Sequence, residues 1–461
     1  MKLIRIFCLL GLMVGSISVF AAEKEFRPNI LWILADDMGP DAGCYGTPAV
    51  KTPNIDQLAR EGVRFTQAFT TAPVCSPSRS ALITGMYQTT IGAHHHRSNR
   101  DAPLPKGIKP ITEYFRENGY FTANLKNISS NAKPSGKTDF NFKEEKVFEG
   151  SEWDELKSRQ PFYAQINFQA PHRGKDWADA RKLPNRVDPA QIKIPPYYPD
   201  HPVTRGDYAN YFEAIQIADA KLGVVLKKLA EDDLDKNTIV IFLGDNGRCM
   251  VRDKQWLYDG GLHIPLIVRW PGNLKPGTVR DDLVSSIDIS ATSLHLAGIK
   301  FPKNMQGQIF LGPKAQERKH IFGARDRCDE TMDRIRCVRT RDFSYIRNYH
   351  PEFPYTQRNA YKERAYPVLE LMKQLHAEGK LTPAQELFMA PRKPAEELYD
   401  LRNDPDEIHS LADSPTHRKV LRELRKVLDQ WIEKTDDQGR FPESENMHKR
   451  SQQRMEAEKQ P

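Results

Sequence analysis

Unbroken apolar runs alternate with amphipathic stretches along most of this chain. Residues 29–35 (NILWILA), 161–168 (PFYAQINF) and 238–243 (TIVIFL) are nearly continuous in apolar side chains. That pattern predicts strands buried on both faces, as in a parallel sheet covered by helices. Residues 63–69 (VRFTQAF) alternate and predict a further strand, residues 119–123 begin another, and 263–272 predict a strand that ends in a turn. Between them, residues 52–62 predict a helix capped by Thr52 and stopped by Gly62. Residues 111–118, 208–232, 282–297 and 416–433 predict further helices. This alternation over 461 residues predicts an α/β protein, long enough for one large domain and a smaller one. No internal repeat interrupts it.

Chemistry gathers where the buried runs stop. The first ends in Asp36-Asp37, and the run at 238–243 ends in Gly244-Asp245-Asn246-Gly247. Carboxylates at the carboxyl end of a buried parallel strand are costly unless something positive meets them. Three carboxylates and an amide oxygen make a hard-cation set, suited to Ca²⁺ or Mg²⁺. Each motif alone reads equally as a turn or a helix cap. The run at 161–168 leads to His172, a structural histidine or a proton donor suited to neutral pH. Cys75 precedes Pro77 and Arg79, and proline fits the first turn of a helix. A helix starting there turns its free amides and positive dipole end toward residue 75, with Arg79 one turn on. An anion at Cys75 would meet donors and positive charge. The alternative is a buried cysteine before an ordinary helix.

The stretch at 75–85, CSPSRSALITG, resembles the signature of the formylglycine-dependent sulfatases: Cys-x-Pro-Ser-Arg, then Ala and Thr-Gly. Other family features follow in order. They are the paired Asp36-Asp37 with Gly39 and Tyr45-Gly46, the GDNG at 244–247, Lys254 before LYDGG at 257–261, and ELYDLRNDPDE at 397–407. The resemblance runs from residue 28 to about 408. It implies the alkaline-phosphatase-like α/β fold, a large mixed β-sheet sandwiched by helices, with a smaller C-terminal α+β subdomain. The expected division is 23–325 for the catalytic domain, 326–440 for the subdomain and 441–461 for a polar tail. The resemblance also implies oxidation of Cys75 to formylglycine (3-oxoalanine) by a formylglycine-generating or anaerobic sulfatase-maturating enzyme. In the family the hydrated aldehyde attacks sulfur, and its second hydroxyl then expels sulfate, which a thiol cannot do. By the same resemblance Asp36, Asp37, Asp245 and Asn246 hold a metal that touches residue 75, with Ca²⁺ preferred to Mg²⁺. Arg79, Lys137 and Lys254 hold the sulfate, and His172 protonates the leaving oxygen. The sequence departs from the family at the Gly-Lys-Trp-His motif, where a polar insert leads to GKTDF at 136–140. Lys137 matches the family lysine there, Asp139 stands in the place of histidine, and Lys126 is the competing match. The family often has Arg where His263 stands.

Residues 1–22 form a secretory leader, with Lys2 and Arg5 before an apolar core too short to span a bilayer with confidence. The mature chain is therefore expected in the periplasm or secreted, without stable membrane insertion. The net charge of +7 suits an anionic substrate, and no basic block interleaved with aromatics points to nucleic acid. Of six cysteines, Cys8 leaves with the leader. Cys328 with Cys337, and Cys44 with Cys249, are conceivable disulfides. His94-His95-His96 reads as a transition-metal site, a loop touching sugar or sulfate, or a solvated loop. The Pro- and Asp-rich segment 183–206 reads as a surface excursion forming a pocket wall. Arg325, Arg327, Arg334, Arg336, Arg339 and Arg341 crowd together with Asp326, Asp329 and Asp333. They form either solvated salt bridges or a polyanion-reading wall. Beyond Gly439 a frayed polar tail is expected. These readings favour an exported sulfatase acting on sulfate esters or N-sulfates of a sulfated oligo- or polysaccharide. The alternatives are a phosphodiesterase or phosphonate monoester hydrolase on the same fold, or a glycan-binding protein without catalysis.

Overall fold

The structure is a computed structural model and describes residues 27–300, 302–449 and 453. The leader at 1–22 and Cys8 lie outside the described residues. Eight strands form the main sheet: β1 (Asn29–Asp36), β2 (Val63–Phe69), β3 (Phe121–Asn127), β4 (Gly150–Glu152), β5 (Phe162–Pro171), β6 (Thr238–Gly244), β7 (His263–Arg269) and β8 (Thr278–Ser285). Their order is β4-β3-β5-β1-β6-β7-β2-β8. β7 runs antiparallel to both its neighbours, and the other pairs are parallel. The sheet is therefore mixed, as expected.

The continuous apolar runs arise because the central strands feed two cores at once. Leu31, Ile33 and Ala35 of β1 face one layer, with Val240 and Phe242 of β6. Ile30, Trp32 and Leu34 face the other, with Ile239, Ile241 and Leu243. Each such fully buried side chain contributes about 1.5–3 kcal/mol. Helices cover both faces, the longest being Pro202–Glu231. It begins six residues earlier than the pattern predicts, because Pro202 takes the first position and the His201 ring accepts from Val203 N–H at 3.2 Å.

Four antiparallel strands make a second sheet: β9 (Ile321–Arg325), β10 (Ile335–Arg339), β11 (Phe343–Asn348) and β12 (Glu396–Asp400), in the order β12-β11-β10-β9. Helix Arg418–Lys434 packs Leu421, Leu424, Leu428 and Trp431 against it, and Ala81, Tyr87 and Ile287 of the large domain join the same cluster. The two parts thus share one apolar seam.

Several expectations need correction. The segment read as a helix from Asp282 starts as the end of β8, and the helix is Ser286–Leu296. Cys44, Cys249, Cys328 and Cys337 are all free thiols. Cys328 stands in a tight turn, and Cys337 sits in β10 opposite Gly323. Four of the six crowded arginines, Arg325, Arg327, Arg336 and Arg339, are buried, whereas Arg341 pairs with Asp281 at the surface at 2.8 Å. Arg325 pairs with Asp333 at 2.8 Å and Arg336 with Asp437 at 2.6 Å, and both arginines are buried. Arg339 reaches Asp259 at 2.5 Å and Arg327 reaches Glu443 at 2.5 Å. The Glu443 side chain is buried, so the chain is held at that point, and residues 450–452 and 454–461 of the expected tail lie outside the described residues.

Candidate active site

Sheet order brings the chemistry together. β1 lies between β5 and β6, so Asp36 and Asp37, His172 after β5, and Asp245 and Asn246 after β6 emerge at neighbouring strand ends. Helix Cys75–Thr84 starts beside them, with all ten of its residues buried. Ser78 Oγ donates to the Asp245 carbonyl at 2.5 Å and fixes the helix to β6. Asp37 takes a left-handed conformation, φ 65°, which is uncommon for a residue with a side chain and marks a functional constraint.

Three carboxylates and three cations interlock here. Arg79 Nε lies 2.7 Å from Asp245 Oδ2, and its Nη2 lies 3.3 Å from Asp36 Oδ1. Lys137 Nζ donates to both oxygens of Asp36, at 2.8 and 3.0 Å. Lys254 Nζ donates to both oxygens of Asp37, at 2.6 and 2.7 Å, and stands 3.6 Å from Cys75 Sγ. It is 4 % exposed, so it is no solvated surface lysine. Lys126, the competing match, is exposed and lies against Gly136. Asp139 turns away to Arg97, with bonds of 2.9 and 3.0 Å, and stands 3.7 Å from Lys137.

Burial and pairing set the protonation. Burial pushes Asp36 up, but Lys137 and Arg79 outweigh it and hold the carboxyl well below its usual range. Burial likewise raises Asp37, and Lys254 and His172 more than reverse it. Asp245 is pushed up to about 7 by burial and by the neighbouring Asp36 charge. Burial raises the Cys75 thiol well above its usual value despite Lys137 and Lys254. His172 falls to about 4 through burial and Lys254, and its Nε2 lies 3.9 Å from Asp37.

The site suits a hard cation. Donor atoms of Asp36, Asp37, Cys75 and Asp245 all lie within 4.8 Å of one another. Asn246 donates through Nδ2 to Asp37 and Gly247, which leaves its fully buried Oδ1 without a partner. A buried oxygen without a donor beside three carboxylates suits a divalent ion.

Sequence reasoning missed several neighbours. Asn167 of β5 accepts from Arg79 Nη1 at 2.7 Å and donates to Asn124 at 3.0 Å. Its signal was a polar side chain inside an apolar run. A pocket of about 210 Å³ opens over Cys75, His172 and Lys254. Its walls include His96 and Arg97, so the histidine loop is buried and lines the pocket. Asp329, Glu330, Tyr361 and Arg364 complete it from the C-terminal half. None of the residues at 183–206 lines it.

Comparison with known proteins agrees with this arrangement. The sulfatase family model matches residues 28–299, and the model of the N-sulphoglucosamine sulphohydrolase C-terminal region matches residues 247–360. The chain belongs to the sulfatase family and is a sulfuric ester hydrolase. It is 36% identical to an ulvan-active sulfatase of Formosa agariphila, over 92% of this chain and 78% of that protein. Human N-sulphoglucosamine sulphohydrolase is 26% identical over 89% of this chain and 91% of its own length. Among solved structures, a 2-O GAG sulfatase superposes with a TM-score of 0.67 at 22% identity, covering 90% of this chain and 94% of that one. Family membership carries with it a formylglycine and a divalent metal.

Proposed function

We propose that this protein removes sulfate from a sulfated oligo- or polysaccharide. The observation that carries the reading is the pocket over Cys75, with Lys254 in its wall and the paired cations Arg79 and Lys137 beside the same carboxylates. The relatives named for ulvan and for N-sulphoglucosamine support a saccharide substrate, bearing either an ester or an N-sulfate.

In this reading residue 75 is the formylglycine, made by a maturation enzyme, whose hydrate supplies the hydroxyl that attacks sulfur. Asp36, Asp37, Asp245 and Asn246 would hold Ca²⁺, which would supply Lewis-acid stabilisation of the sulfate oxygens. Arg79, Lys137 and Lys254 neutralise charge on those oxygens, and their pairing with carboxylates keeps them in position without reorganisation. Tyr361 lies nearly parallel to the His172 ring, with centroids 6.2 Å apart, and both line the pocket. A bound sulfate anion favours the protonated form of His172, which then delivers a proton to the leaving sugar oxygen. The leader read in the sequence supports a periplasmic or secreted enzyme, and among the described residues no helix is long and apolar enough to cross a membrane.

The test is sulfate release, read by ion chromatography, from ulvan, heparan and carrageenan oligosaccharides beside matched phosphate esters. Release of sulfate from at least one glycan, faster than phosphate from its analogue, supports the reading. Preference for the phosphate or phosphonate esters would overturn it.

A further inference from the structure

Three polar atoms of residues in the pocket wall are buried and have no partner among the described residues: His172 Nδ1, the Tyr361 hydroxyl and Glu330 Oε2. Buried polar atoms are rarely left unpaired, and three around one cavity mark a site completed by a ligand rich in hydroxyls. Glu330 is rigidly presented. It sits at the tip of the turn between β9 and β10, where Cys328 N–H donates to Thr331 O and Thr331 N–H donates back to Cys328 O, at 3.1 and 2.9 Å. The adjoining Asp329 is clamped by His96 at 3.0 Å and by Gln255 at 2.9 Å. Arg364, on the short helix Ala360–Ala365, completes the same wall and makes no ion pair among the described residues.

An ionised carboxylate accepts hydrogen bonds and donates none. It therefore binds a free sugar hydroxyl and repels a sulfate at the same place. Arg364, an exposed residue of the same pocket wall, has the opposite preference and pairs with a carboxylate or sulfate through its planar fork.

We propose that Glu330 is a specificity-determining residue: it binds an unsubstituted hydroxyl beside the sulfated carbon and turns away sugars that carry a second sulfate there, while Arg364 pairs with an anion farther along the glycan. This rests on the glycan-sulfatase reading above. It assigns the enzyme to sugar residues bearing one sulfate, so vicinal disulfates need a different sulfatase to act first. Neither residue touches the cation cluster, so the role is selection rather than chemistry.

The experiment uses full-length, matured enzyme and a library of methyl pyranosides of glucose, galactose, rhamnose and N-acetylglucosamine, each as monosulfates and vicinal disulfates. For the best-cleaved monosulfate, the wild type should favour it over its vicinal disulfate, and Glu330→Gln should shrink that kcat/KM ratio by about tenfold or more. The ratio is internal to each variant, so partial misfolding cancels. Arg364→Met should raise KM for an acidic disaccharide substrate relative to the neutral monosulfate, with kcat retained. An unchanged ratio in Glu330→Gln overturns the proposal while leaving the sulfatase reading intact. Failure of the wild type on every pyranoside while it still desulfates glycan oligosaccharides overturns this proposal alone, and failure on both substrate sets overturns both.

Discussion

Replacing Lys254 with methionine separates two roles that the site combines. The ammonium lies 2.6 Å from Asp37 Oδ2 and is almost fully buried. At an effective dielectric of about 20 that separation gives about 6 kcal/mol of attraction, opposed by the desolvation of both groups. Removing one partner leaves a buried charge unpaired, which costs about 3–5 kcal/mol. That is a large share of a typical stability of about 5–15 kcal/mol. Lys254→Met should therefore melt well below the wild type in chelator. In saturating Ca²⁺ the gap should narrow, because Asp37 no longer has to exchange its ammonium for the ion. Binding at about a hundredfold excess over Kd adds about 2.7 kcal/mol, and the tighter binding expected of the variant adds more. Activity moves the other way. Loss of one fixed cation facing the transferring group should lower kcat/KM on 4-nitrophenyl sulfate by about 10²–10³. The assay pairs that rate with melting curves in chelator and in Ca²⁺. Wild-type kcat/KM, or a Ca²⁺-induced rise in melting temperature no larger than the wild type's, would refute the reasoning.

Other outcomes follow from the same geometry. His172→Ala should slow a sugar sulfate by about 10²–10⁴, yet slow 4-nitrophenyl sulfate far less, because nitrophenolate leaves without a proton. Equal losses on both substrates would remove His172 as the proton donor. Asn167→Ala strips a buried Arg79 N–H of its acceptor and should cost about 1–3 kcal/mol in urea unfolding, with a fall in kcat/KM. Asp259 is raised by burial, but Arg339 and His263 outweigh this and hold it below its ordinary 3.8. Its contribution is therefore complete above that value and fades as pH falls toward the lower folded value. The stability advantage of wild type over Asp259→Asn should be full at neutral pH and smaller at about pH 3, measured by urea unfolding.

The strand ends were legible because continuous apolar runs and the acidic pairs that stop them are local signals. The family resemblance joined Asp36, Asp245 and Asn246, whereas the pairing of β1 with β6 that brings them together is a long-range contact no local pattern states. The pocket wall was not legible in the same way. Glu330 lies on a four-residue turn and Tyr361 on a helix of six residues, too short for any periodicity to announce. The arginine-rich segment misled for a different reason. Charge density reads as surface, whereas here Arg325, Arg327 and Arg336 each find a buried carboxylate, and the partners Asp437 and Glu443 lie about a hundred residues downstream. The cysteines show the same limit, because closeness in sequence says nothing about which way two side chains point.

The central claim is that Cys75 does not act as a thiol. The most direct test is the mass of the peptide that carries residue 75, isolated from protein made in its native host. The account predicts an aldehyde, trapped as its hydrazone. An intact cysteine in protein that still releases sulfate would contradict it.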